Sequence, residues 1–110
     1  MLNNNIINQI NEVGINVEIT IMKEKVMNTI KNIETELILV DYAYQDKLRD
    51  LELIAALEKR TNELLLLVNR INEIEIEAIG YKNTEGMFRC EGLKAKAINL
   101  MEHIRIKYMY

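Results

Sequence analysis

The chain has 110 residues, with no proline, no tryptophan, four glycines, one cysteine and one histidine. That length suits one small domain or one protomer of an oligomer, and 49% apolar with 28% charged residues excludes wholesale disorder. A single cysteine excludes an intrachain disulfide framework and a cysteine-only zinc cage. No apolar run approaches the roughly 20 residues of a membrane span, and no basic-plus-apolar signal segment opens the chain. The expectation is a soluble, cytoplasmic protein.

The absence of proline removes the strongest helix breaker. The 17 isoleucines and 13 asparagines also fit an AT-rich bacterial or phage genome, so composition alone does not separate codon bias from helix design. Residue spacing does.

From Asn3 to Val13, Ile6, Ile7, Ile10 and Val13 recur at helical spacing, and Gly14 followed by Ile15 resembles a glycine stop with an apolar partner. The expectation is a short helix over 1–14. Residues 15–21 then alternate, with Ile15, Val17, Ile19 and Ile21 between Asn16, Glu18 and Thr20. Residues 73–79 alternate likewise, and the pattern allows a minor two-stranded β element pairing 15–21 with 73–79.

The strongest signal fills the region 22–72. Val26, Ile30, Ile33, Leu37, Val40 and Tyr44 step by four and three, which is a heptad seam. A second consecutive step of four, from Tyr44 to Leu48, reads as a stutter, and Leu51 and Ala55 follow it. A shifted seam resumes at Leu57, Thr61, Leu64, Val68 and Ile71. One helix of this length cannot bury its own stripe. The region is therefore either a rod paired with a second chain or a hairpin bent at Asp41–Asp46 or Arg60–Asn62. The run from Leu64 to Val68 is apolar on nearly all sides and favours a multi-helix bundle. Three glycines mark 80–92 as a loop, and a last helix over 93–108 carries Ala97, Leu100, Ile104 and Tyr108 on its stripe. The fold class expected is mainly α: a helical hairpin or coiled-coil-like bundle forming a single domain over 1–110.

Chemistry is poorly provided for. Cys90 has no sequence-local base, His103 has no second histidine nearby, and no phosphate loop or metalloprotease motif occurs. Neither a catalytic residue, a cofactor nor a metal site is expected. Glu73, Glu75 and Glu77 would share a face only on a strand, and a solvated acidic face explains them better than a cation site. Charge is uneven: residues 1–85 carry −6 and residues 86–110 carry +3.

Two functional readings follow. The first is a non-enzymatic interaction module: a small helical regulator, plausible for a phage or mobile element, that forms a homo-oligomer and binds another protein. Its oligomer contacts would be Val26, Ile30, Ile33, Leu37, Val40 and Tyr44, and Tyr42, Lys94, Arg105, Lys107 and Tyr108 are candidates for partner contact. The second is a small nucleic-acid-binding regulator that uses the basic C-terminal helix, or a helix-turn-helix-like unit around Gly14. Against the latter, the segment after Gly14 has no arginine to read bases.

Overall fold

The computed structural model describes residues 4–45 and 51–108. They form three helices: α1 (Asn4–Gln45), α2 (Leu51–Gly80) and α3 (Thr84–Tyr108). Polar contacts fix their directions. Arg70 on α2 pairs with Glu18 on α1 at 3.0 Å, and Asn83, beyond α2, donates to Asn16 at 3.1 Å; α2 therefore runs antiparallel to α1. Arg89 donates to Thr20 at 3.2 Å and Tyr108 donates to Asp41, so α3 returns parallel to α1.

The bundle is long and thin, 67 × 18 × 16 Å. Its radius of gyration is 17.9 Å, against ~13 Å for a compact chain of this length. Little interior is available per residue, and apolar side chains in excess of it must lie outside.

The core is one continuous seam per helix. On α1 it comprises Ile15, Ile19, Met22, Val26, Ile30, Ile33 and Val40, with Leu37 half-buried. Leu57, Leu64, Val68, Ile71, Ile74 and Ala78 face it from α2. From α3 come Gly86, Cys90, Ala97, Ile104 and Tyr108, interleaved with the half-buried Leu93, Leu100 and Met101. Ala78, Cys90 and Ala97 are all fully buried; these small residues let α2 and α3 approach closely. There Lys94 meets Glu75 at 2.8 Å, with side-chain exposures of 21% and 16%.

Several sequence expectations are corrected. The short helix over 1–14 does not stop at Gly14, because α1 continues through it to Gln45. No glycine has a positive φ among the described residues, so Gly14 is not a helix stop. It costs α1 up to about 1 kcal/mol relative to alanine. No strand occurs among the described residues: 15–21 lies in α1 and 73–79 in α2. Residues two apart on a helix differ by about 200°, so alternation there places apolar residues on opposite faces. Ile15 and Ile19 are buried while Val17 and Ile21 are exposed; Ile74 and Ala78 are buried while Ile76 is 68% exposed.

The region 22–72 is divided between α1 and α2, with α1 ending at Gln45 and Arg60–Asn62 inside α2. Leu48, at the stutter, lies outside the described residues. The loop over 80–92 shrinks to 81–83, and the C-terminal helix begins at Thr84 rather than Leu93.

This short turn is specified by two end motifs. Lys82 adopts φ 56°; its N–H reaches the Ile79 carbonyl at 3.1 Å, and that of Asn83 reaches Ala78 at 2.8 Å. These bonds close α2 as a Schellman motif, with lysine at the position usually given to glycine. Asn83 then caps α3, its Oδ1 accepting from the Gly86 N–H at 2.9 Å. A Cβ on residue 86 would lie 2.9 Å from the Asn83 amide nitrogen, which is why glycine sits inside a helix there. Asn83→Ala is expected to lower unfolding free energy by about 1 kcal/mol in urea titration, and an unchanged midpoint would contradict the cap.

Candidate partner-binding face

The α2–α3 turn sits beside Asn16, so the preceding residues of α1 project beyond the other two helices. Among the described side chains the buried seam begins at Ile15, and its register continues in the sequence into Asn8 and Asn11. A second apolar row takes over on the opposite side of the same helix. Ile10, Val13, Val17 and Ile21 are exposed by 58%, 62%, 52% and 46%. Steps of three, four and four keep them on one stripe. Farther along, Glu24, Asn28, Lys31 and Thr35 occupy that outward register and separate the row from Ile38 and Tyr42, which return the register to apolar residues exposed by 70% and 69%.

Around the side of the bundle, α1 and α3 form a shallow groove lined by Lys23, Met27, Phe88, Arg89, Gly92, Leu93 and Lys96. Phe88 is 66% exposed. Thr20 joins the two features: it borders the stripe and accepts from Arg89 in the groove. The result is a face with an aliphatic end and a cationic, aromatic end.

The sequence-predicted residues are distributed differently. Val26, Ile30, Ile33 and Val40 are buried within the chain's own core, and Leu37 packs against it. The side chain of Tyr44 lies outside the described residues. Tyr42 is 69% exposed and remains available to a partner. Lys94 is held by Glu75 at the α2–α3 interface. Arg105 lines a separate groove with Leu65, Ile98 and Met101. Lys107 lies 3.5 Å from Asp41 and 5.2 Å from the centre of the Tyr108 ring, while Tyr108 is 3% exposed. Of the basic residues inferred for the C-terminal helix, Lys94 and Lys107 are thus tied to α2 and α1, whereas Arg105 faces its own groove. The helix-turn-helix-like unit around Gly14 is corrected, because α1 does not turn there.

The tie between α1 and α3 predicts a pH effect. Burial, reinforced by the hydrogen bond to Asp41, raises the Tyr108 phenol above its ordinary value of 10.0, with Lys107 acting in the opposite direction. Above pH 10 the unfolded phenol releases its proton before the folded one, so this contribution to stability is complete below pH 10 and is lost as pH rises through the raised value. Melting temperature is expected to fall more steeply above pH 10 in the wild type than in Tyr108→Phe. Equal slopes would contradict this assignment.

Cys90 and His103 lie thirteen positions apart on one continuous helix, about 20 Å of rise, so they do not form a nucleophile–base pair. Cys90 is fully buried, and burial pushes its thiol up, away from the reactive thiolate. Glu73 pairs with Arg70 at 2.7 Å and Glu75 with Lys94; with Glu77 they scatter around α2.

Sequence reasoning missed Val17 and Ile21 as surface residues because their alternation with the core imitates a strand. It missed Phe88 and Arg89 because they lay in an expected loop. The available signal was the seam on α3, where residues 86, 90, 93, 97, 100 and 104 alternate steps of four and three and a further step of four reaches 108. No helix among the described residues is long and apolar enough to cross a membrane. Comparison with protein-family models, with curated proteins and with solved structures finds no match.

Proposed function

We propose that this chain is a non-enzymatic protein–protein interaction module that self-associates through the outward stripe of α1 and acts on a partner protein by occupancy. The observation that carries the reading is the row Ile10, Val13, Val17 and Ile21, each about half exposed or more on the helix that outreaches its neighbours. An apolar stripe of this kind marks an interaction site more often than a solvated face. A second copy offers the same stripe, and two such helices pairing over Asn4–Ile21 would meet along about 27 Å. Because the heptad seam is already covered by α2 and α3, the proposed contact uses the opposite side of α1. Nucleic acid has less support, since Lys94 and Lys107 are engaged in ion pairs.

Sedimentation at concentrations on the order of 100 μM tests the proposal. The wild type is expected at twice 12.9 kDa. Val17→Glu is expected to return the mass to that of one chain with its helix content intact, because the site is solvent-facing. A wild-type chain that stays at 12.9 kDa would overturn the self-association.

A further inference from the structure

The α1–α3 groove has a composition of its own. Its floor is apolar and open: Met27 is 38% exposed and Phe88 66%, Leu93 is half-buried, and nothing lies within 4 Å of where a Cβ on Gly92 would be. Lys23, Arg89 and Lys96 surround that floor, with no carboxylate among its lining residues. Among the described residues, none of the three cations is ion-paired, whereas Arg60, Arg70, Lys94 and Lys107 are. Positive charge is thus left unneutralised around an aromatic and thioether surface, on a chain whose formal net charge is −3.

We propose that this groove docks an acidic amphipathic helix of a partner protein, seating its apolar side chains against Met27, Phe88 and Leu93 and its carboxylates against Lys23, Arg89 and Lys96. Charge complementarity selects the partner. Two parallel helices bound a groove along the bundle axis, and Arg89 to Lys96 covers about 10 Å, two turns of an incoming helix with anchors at i, i+3/i+4 and i+7. A nucleic acid strand would use the same cations and could stack on Phe88, but a strand long enough to leave the groove meets residues 1–85, which carry −6. With a single aromatic ring between a methionine and a leucine, the floor also suits apolar side chains better than a run of stacked bases. Gly92 supplies the notch: without a Cβ there, an anchor can approach the backbone of α3. The inference rests on the interaction-module reading and names the chemistry of its partner.

The experiment is selection of a phage-displayed library of random peptides on the intact wild-type chain. Enriched sequences are expected to combine Asp or Glu with large apolar residues at helical spacing. A synthetic copy of the leading sequence is expected to bind at least about tenfold more weakly to Phe88→Ala and to Lys96→Glu. Both positions are exposed, so unchanged melting temperatures verify that the variants fold. Lack of enrichment, enrichment without acidic residues, or binding indifferent to both variants would overturn the proposal. A labelled single-stranded oligo-dT bound at low salt through the same residues would overturn it in favour of nucleic acid. The outcome is separable from self-association: a dimer that selects no acidic peptide overturns the groove alone, and a monomer that selects one overturns the dimer alone.

Discussion

Ile33→Asp is expected to unfold the chain. Ile33 is fully buried at the centre of the α1 seam, with apolar residues of the three-helix core around it. No basic residue belongs to that cluster, so an aspartate there would either be buried charged without a partner or take up a proton; either route costs several kcal/mol. A domain of this size has about 5–15 kcal/mol of stability in total, and a thin bundle offers no second core to fall back on. Far-UV circular dichroism is expected to lose most of its helical signal at 25 °C. Ile33→Ala, which removes volume without adding charge, is expected to cost about 2–5 kcal/mol and to keep cooperative melting. Val17→Asp, on the opposite side of the same helix, is expected to leave the helix signal in place. A folded Ile33→Asp would mean that the seam is not the core.

The second large effect belongs to Lys94 and Glu75. Their side chains are 21% and 16% exposed and their charged atoms 2.8 Å apart. Solvent therefore screens the pair much less than the surface pair Arg70–Glu73, with exposures of 43% and 65%. Replacing Lys94 with methionine keeps the aliphatic stem but leaves a half-buried carboxylate with no cation. The expected loss is about 1–3 kcal/mol. Removing both charges, as Glu75→Gln with Lys94→Met, is expected to recover most of that loss, because the penalty comes from the orphaned carboxylate rather than from the missing attraction. Urea denaturation of the single and double variants decides the matter. Equal stability of wild type and Lys94→Met would show that water already satisfies Glu75.

Part of this architecture is legible in the sequence because a heptad repeat has one structural meaning. Val26 to Val40 announce a buried helix face, and the absence of proline allows α1 its 42 residues. The identity of what covers that face is not carried by the seam. A second chain and a pair of following helices present the same apolar stripe, and here α2 and α3 fill the place given to a second copy. Glycine misled in a consistent direction. Gly14 and Gly92 lie inside helices with open space around them, where packing of neighbouring seam residues outweighs a local cost near 1 kcal/mol. Gly86 lies inside α3 for a specific reason, the close approach of the Asn83 cap. Of the candidate site, only Ile10 and Val13 were legible as a helical stripe. Val17 and Ile21, which continue it, alternate with core residues and imitate a strand. The groove was hidden further, because Lys23 and Met27 are separated from Phe88 and Lys96 by more than sixty positions and only the parallel packing of α1 and α3 unites them.

The central claim is that α1 has two working faces, one covered by its own chain and one open to a second copy. Spin labels attached at Glu24→Cys, an exposed position just beyond the stripe, in a chain whose buried Cys90 is replaced by alanine, test it directly through dipolar distances between molecules. A narrow intermolecular distance much shorter than the 67 Å length of the bundle, abolished by Val17→Glu, is the predicted result. The absence of any intermolecular coupling in the folded wild-type background would contradict it.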